Sequence, residues 1–134
     1  MLLDTDVLID VALDRKPHAE DAAHLLTLLE RRPRMAFVAW HTLSNFYYLV
    51  SPTRGRDDAR HFLADLTRFV TVAPTDTDAF HFASTLPFSD FEDAMQVAAA
   101  RACGATCIAT RNVKDFRASP IPARKPEELV RELE

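Results

Sequence analysis

Short apolar runs alternate along this chain with segments whose apolar residues recur every three or four positions. Four of the runs predict buried strands, at about 2–4, 35–39, 70–73 and 106–110. The other segments predict amphipathic helices: a short one over 6–13, three with apolar stripes at 19–29, 43–50 and 59–69, a brief one at about 76–84, one from Phe91 to Gly104, and a closing helix with Pro126 in its first turn. We expect Pro52 to end the third of these helices. The alternation predicts an α/β fold in which helices cover both faces of a parallel sheet.

Ligands of such sheets bind beyond the carboxyl ends of the strands. Asp4 follows the first predicted strand, residues 41–45 follow the second, and residues 110–115 follow the last. The start of the helix near Ser89 is expected at the same edge. Polar residues from four separate parts of the chain should therefore converge there.

The opening run MLLDTDVLID carries three carboxylates in an otherwise apolar stretch. Asp10 lies with Asp6 and Asp14 on one helical stripe, which for Asp10 and Asp14 indicates a solvated face. Asp6 falls in the first helical turn, where the helix dipole favours an acid. Asp4 ends a buried strand, so it is either a helix N-cap or a carboxylate aimed at a cation.

The segment SDFEDAMQVAAARA holds a second group of acids. Ser89 and Glu92 have the spacing of a capping box, and the helix dipole is enough to account for Asp90. Asp93 lies one turn beyond Asp90 on the same side of the helix. Stacked carboxylates repel each other unless solvent or a cation lies between them.

A third polar segment, TRNVKDF, follows the last predicted strand. Asn112 and Asp115 are plausible turn residues, and Arg111, Lys114 and Arg117 surround them. Acids at the centre with cations around them suit a metal site that receives a phosphodiester, although a solvated loop would look the same.

The candidate donors are oxygen atoms, with no His or Cys among them, which favours Mg²⁺ or Mn²⁺ over zinc. Cys103 and Cys107 lack a second pair of soft ligands, so they are interpreted as small buried residues. Metal ions of this kind activate water and neutralise charge on a phosphate. The residues alone therefore suggest a metal-dependent phosphoester enzyme.

The composition is that of one globular domain spanning residues 1–134, with 48% hydrophobic and 27% charged residues. No apolar run approaches the ~20 residues that a bilayer requires, and no basic leader precedes an apolar run. We therefore expect a cytoplasmic protein without a membrane partner. The net charge of −4 argues against a general nucleic-acid coat protein.

These motifs, in this order, resemble the PIN-domain ribonucleases, above all the toxins of VapC-type toxin–antitoxin pairs. LLDTDVLID is similar to the family's opening strand, and Asp4 matches its first acid. HTLSNFYYL resembles the helix of the second acid, commonly Glu, and has Asn45 there. DFEDAMQVAAARA resembles the helix of the third acid, with Asp93 as the match. TRNVKDF resembles the closing motif, with Asn112 at its first acid and Asp115 at the later one.

The resemblance implies a three-layer α/β/α fold and Mg²⁺- or Mn²⁺-dependent RNA cleavage by a toxin that a cognate antitoxin neutralises. It also implies frequent homodimers. The implied catalytic residues are Asp4, Asp93, Asp115 and Asn45; the implied metal ligands are Asp4, Asp93 and Asp115, with Asp90 as an auxiliary and Asn112 assisting. Arg111 and Lys114 are the candidate contacts to RNA phosphates.

Two departures from the family pattern leave alternatives open. Asn45 and Asn112 are neutral where the family often has carboxylates, so weaker metal binding is expected, with Asp90 restoring one charge if its helix points it inward. The same two residues support a non-catalytic PIN fold that binds RNA or protein. The DTD run after a strand also suggests a haloacid-dehalogenase-type phosphatase, although that chemistry usually needs a longer chain and a motif lysine.

Overall fold

The computed structural model describes all residues 1–134. Five short strands, β1 to β5, alternate with seven helices, α1 to α7. The strands are Leu2–Leu3, Ala36–Val38, Val70–Val72, Ile108–Ala109 and Ala123–Arg124. The helices are Thr5–Ala12, Ala19–Glu30, Trp40–Arg54, Arg56–Leu66, Thr77–Thr85, Phe91–Ala102 and Pro126–Leu133, and a single 3₁₀ turn covers Val113–Phe116.

All strand pairs are parallel, and the order across the sheet is β3-β2-β1-β4-β5. Strand β1 is central, with Leu2 opposite Phe37 on one side and Ile108 on the other. The carboxyl ends of β1, β2 and β4 therefore meet at one edge, and Asp4, the start of α3 and Thr110 follow them directly.

Consecutive residues of β1 face opposite sides of the sheet, as the pleat requires. Leu3 packs into a core shared with α1, α2, α3, α4 and α7, whereas Leu2 packs against α6 and the residues around Phe116. This confirms the predicted three-layer α/β/α sandwich with a central parallel sheet. None of the helices is both long and apolar enough to cross a bilayer.

The structure differs from the sequence prediction in two places. Helix α3 continues through Pro52 to Arg54 and stops where Gly55 adopts a φ of 91°. Pro52 is exposed and lies in the last turn, where its missing N–H removes a single bond. Strand β5 was not predicted, because an edge strand of two half-buried residues carries no apolar alternation.

Candidate functional site

Asp4 is the buried carboxylate at the centre of the sheet edge, with 5% of its surface exposed. Its Oδ1 accepts a hydrogen bond from the Thr5 backbone N–H at 2.8 Å, so it is the N-cap of α1. Its Oδ2 accepts from the Thr110 hydroxyl at 2.8 Å. Burial, and then the charge of Asp6, raise the pKa of the Asp4 carboxyl well above its usual value. The cap role is therefore established, and a role toward a cation stays a prediction.

Asp6 is the second carboxylate of this edge, and the sequence accounts for it only through the helix dipole. Its Oδ2 accepts from the Asn112 side-chain amide at 2.9 Å and lies 3.2 Å from the Thr110 hydroxyl. The hydroxyl has a single hydrogen and lies closer to Asp4, so its hydrogen bond to Asp6 is the weaker of the two. The Oδ1 of Asp6 is buried without any partner. Burial is the largest cause that raises the pKa of the Asp6 carboxyl, to about 6.

Asp93 lies on α6 beside an open pocket of about 320 Å³, which Asp90, Asp115, Lys114 and Arg117 also line. Burial, and then the charges of neighbouring carboxylates, raise the pKa of the Asp93 carboxyl to about 7. The contributing carboxylates are Asp90, Glu92, Asp115 and Asp6. The structure thus brings together three of the predicted acids, Asp90, Asp93 and Asp115, with the predicted cation Lys114.

The start of α6 differs from the predicted capping box. Asp90, not Ser89, is the N-cap, and its Oδ1 accepts from the Glu92 backbone N–H at 2.9 Å. The Glu92 carboxylate turns instead toward His41, whose Nε2 lies 2.8 Å from Glu92 Oε2. The charge of Glu92 also acts on Asp4 and Asp93. Sequence spacing could not reveal this pair, because its members are 51 positions apart.

A buried polar cluster joins the three helices that carry these residues. The Gln96 side-chain amide donates to the hydroxyls of Thr5 and Thr42, at 3.2 and 3.0 Å, and the two hydroxyls lie 3.0 Å apart. Helices α1, α3 and α6 are thereby linked just below the site. This cluster was missed in the sequence, since Gln96 stands within an apolar helical face and forms its bonds through tertiary contacts.

Arg111 and Asp10 form an ion pair in which the acid is buried and the arginine is partly exposed. Arg111 Nε donates to Asp10 Oδ2 at 2.8 Å, and Asp10 is 1% exposed. The predicted solvated position for Asp10 is therefore wrong, because Arg111 follows β4 and reaches α1 from the neighbouring strand end. The exposed position of Asp14 agrees with the prediction.

Asn45 and Asn112 have different surroundings. Asn45 is half-buried on α3, and its amide makes no hydrogen bond within the chain. Asn112 is exposed, and its amide nitrogen is directed at Asp6. The catalytic and metal roles implied for both residues remain predictions.

The donor set at this edge has the chemistry that Mg²⁺ or Mn²⁺ prefers. The candidate donors are carboxylate and amide oxygens, and one of them, Asp6 Oδ1, is buried without a partner. No three Asp, Glu, His or Cys side chains are already close enough together to enclose an ion. The carboxylates would therefore have to move closer together to hold a cation. Their present separation is what mutual repulsion produces when no cation lies between them.

The comparisons with known proteins agree with this architecture. A family model for the PIN domain matches residues 1–114. No curated protein matches the chain. The match to the PIN domain removes the alternative of a haloacid-dehalogenase-type phosphatase.

Several solved structures share the fold. VapBC2 from Rickettsia felis, bound to a DNA fragment from its promoter, superposes with a TM-score of 0.71, 16% identity, and coverage of 92% of this chain and 96% of that chain. A toxin–antitoxin complex from Klebsiella pneumoniae gives 0.69, 21% identity and coverage of 93% and 96%. VapC20 from Mycobacterium tuberculosis, a toxin that cleaves the sarcin–ricin loop, gives 0.63, 18% identity and coverage of 80% and 85%.

The family model covers the chain from β1 through β4 and ends at Lys114, within the 3₁₀ turn, so Asp115 lies just beyond the matched residues. Strands β1 to β4 and the acids beyond β1 and at the start of α6 belong to the matched region, whereas strand β5 lies outside it. The chain is a member of the PIN-domain family.

Proposed function

We propose that this protein is a divalent-metal-dependent endoribonuclease and the toxin of a toxin–antitoxin pair. The observation that carries the proposal is the common pocket of Asp90, Asp93 and Asp115 with Lys114 and Arg117. The charge of the half-buried Asp6 acts on Asp93 in this pocket, and no cation of the chain forms an ion pair with Asp6 or with the buried Asp4.

The ligands for Mg²⁺ or Mn²⁺ would be Asp4, Asp93 and Asp115, with Asp90 and Asn112 assisting. When bound, such an ion activates a water molecule and offsets negative charge on the phosphate. We assign to Asn45, whose amide on α3 makes no hydrogen bond within the chain, the role of orienting water that the resemblance implies for this position.

The chain supplies its own contacts for the substrate phosphates. Lys114 is exposed in the 3₁₀ turn and lines the pocket of Asp93. Arg111 uses its Nε for Asp10, which leaves its two terminal guanidinium nitrogens available to bind an RNA phosphate. Asp93, whose pKa is raised to about 7, changes its protonation state near neutral pH and so couples cation binding to pH.

Two structural neighbours support the choice of substrate and partner. One of them is described as cleaving the sarcin–ricin loop, and another is a toxin–antitoxin complex. We accordingly propose RNA as the substrate, an antitoxin protein as a partner, a homodimer as the assembly, and the cytoplasm as the site of action.

The test is cleavage of labelled structured RNA by the wild-type chain and by Asp93→Asn, with Mg²⁺, Mn²⁺ or excess EDTA. Asp93→Asn keeps the side-chain shape and removes one charge at the site, so cleavage should fall about 100-fold or more. Asp57→Asn is the matched control, because Asp57 is an exposed acid in the first turn of α4.

Full cleavage by Asp93→Asn, or cleavage in EDTA, would overturn the proposed metal-dependent reaction. RNA binding without cleavage at any concentration of either ion would favour the non-catalytic PIN fold instead.

A further inference from the structure

The contact between Asp6 and Asn112 reverses the expected positions of an acid and an amide. The resemblance places the first acid of the closing motif at position 112, where this chain has an amide. In the structure that amide nitrogen lies 2.9 Å from Asp6 Oδ2. A carboxylate is therefore present next to position 112. It belongs to Asp6 on α1, and not to the segment after β4.

The hydrogen bonds of Asp6 hold one of its oxygens and leave the other free. Oδ2 faces the Asn112 amide and the Thr110 hydroxyl, whereas the buried Oδ1 has no partner. A buried carboxylate oxygen without a donor is costly. A cation bound to Oδ1 would remove the free-energy cost of the unpartnered oxygen and leave the hydrogen bonds to Oδ2 in place.

No cation of the chain meets this need. The charge of Arg111 and its backbone N–H both lower the pKa of Asp6, but the guanidinium Nε is bonded to Asp10 and forms no ion pair with Asp6. The charge of Asp6 also reaches Asp93, which connects it to the pocket of Asp90 and Asp115. Asp6 thus belongs to the same negative region as the acids that the family pattern identifies.

We propose that Asp6 is a metal ligand of this site and supplies, through its unpartnered Oδ1, the carboxylate that position 112 lacks. The inference rests on the proposed function, since it assigns a further residue to the same cation site. Asn112 is then a positioning residue that holds Asp6 Oδ2 and so directs Oδ1.

The exchange of the two residues gives a direct test. Four chains are compared by thermal unfolding across a Mg²⁺ series, starting from protein stripped with EDTA: wild type, Asp6→Asn, Asn112→Asp, and the double variant D6N/N112D. Asp6→Asn should weaken the apparent Mg²⁺ affinity about 10-fold or more. The double variant has the wild-type charge in the reversed order, and its affinity should return to within about 3-fold of wild type.

The single variant Asn112→Asp adds an acid without removing one. It should unfold at a lower temperature than wild type in EDTA, because two adjacent carboxylates repel, and it should gain more from Mg²⁺. Far-UV circular dichroism in EDTA verifies that all four chains are folded, and Asp57→Asn controls for loss of a distant charge.

Asp93→Asn in the same series separates this inference from the proposed function. If Asp93→Asn loses the Mg²⁺ response and Asp6→Asn keeps it in full, the assignment of Asp6 is overturned and the proposed function stands. Failure of the double variant to recover affinity also overturns the assignment. If the wild-type chain shows no Mg²⁺ response at all, the proposed metal site falls, and the role of Asp6 falls with it.

Discussion

Asp6 and Asp10 lie one turn apart on α1, yet the fold treats their charges differently. Asp10 is buried against Arg111, whose Nε lies 2.8 Å away, so a positive charge of the same chain offsets its own. Asp6 has a hydroxyl and an amide as neighbours and keeps one buried oxygen without a partner. The Oδ1 of Asp10 also lacks a hydrogen bond, but Arg15 lies 4.0 Å from it. Two cations of the chain therefore face Asp10, whereas none forms an ion pair with Asp6.

The difference separates a structural carboxylate from one available for function. A buried ion pair holds its two elements together, since removal of either partner leaves an uncompensated charge. Acids that raise each other's pKa store unfavourable energy that an external cation can release. The proposed functional acids are therefore Asp4, Asp6 and Asp93, whose raised pKa values have no ion pair to offset them, whereas Asp10 is paired with Arg111.

Removing Arg111 tests the comparison most strongly, because Asp10 would then keep only Arg15, 4.0 Å from its Oδ1, as an internal cation. Arg111→Met is expected to lower the free energy of unfolding by about 1–3 kcal/mol, because it leaves the buried Asp10 carboxylate without its hydrogen-bonded partner. The loss should be smaller than for a fully buried pair, since Arg111 is partly exposed and Arg15 remains. Urea denaturation measures the loss. Arg117→Met, at an exposed arginine in the same region without an ion pair, should stay within about 0.5 kcal/mol of wild type.

The double variant Asp10→Leu with Arg111→Met provides the other half of this test. If the loss comes from the unpaired charge, replacing both partners with apolar side chains should recover most of the stability. Equal losses in the single and double variants would mean that Arg111 acts through packing.

The pH dependence of stability sharpens the comparison from the other side. The folded-state pKa of Asp93 is about 7, above the unfolded value of about 3.9. Between these values the folded chain binds more protons than the unfolded chain. Without metal, the free energy of unfolding should therefore fall as the pH rises from about 4 to 7, and Asp93 should contribute no further change at higher pH.

Asp93→Asn removes this contribution, so its fall between pH 4 and 7 should be shallower and its melting temperature at pH 8 a few degrees higher than that of wild type. Thermal unfolding in EDTA across pH 4 to 8 measures both. Asp57→Asn should follow the wild-type curve. If the melting temperatures of Asp93→Asn and wild type change in parallel with pH, the charge of Asp93 does not destabilise the folded state.

The smallest effect is expected at Asn45, where the family pattern has an acid and this chain has none. Asn45→Glu should destabilise the metal-free protein by about 0.5 kcal/mol or less, through repulsion from the acidic group, and should increase the stabilisation by Mg²⁺. Thermal unfolding across a Mg²⁺ series measures both effects. Ser44→Glu adds the same charge at the neighbouring exposed position; equal responses of the two variants would place Asn45 outside the site.

Much of the fold was predictable because the apolar pattern of most helices and strands lies within the element's own sequence. Leu2 and Leu3 begin a buried strand, and the stripe from Phe91 to Ala102 marks a helix, since both patterns arise within the element itself. Strand β5 and the continuation of α3 past Pro52 were not predictable. The first depends on pairing with β4, and the second on the position of Pro52 in an exposed last turn.

The candidate site shows the same division. The order of motifs along the chain identified Asp4, Asp93 and Asp115 as residues of one sheet edge, because parallel strands bring their carboxyl ends together. Sequence reasoning assigned Asp6 to the helix dipole and Glu92 to a capping box. Their actual partners, Asn112 and His41, come from other elements.

The sequence by itself determined the α/β class, the edge at which the acids gather and the kind of ligand atoms that they offer, because periodicity and residue type are local properties. The tertiary structure alone decided which carboxylates are neutralised within the chain. That outcome depends on distances of a few ångströms between side chains from different elements, and at such distances a change of partner separates a buried ion pair from a group of acids that needs a cation. In this chain the Arg111 side chain donates to Asp10, and Asp6 accepts from the Asn112 amide instead.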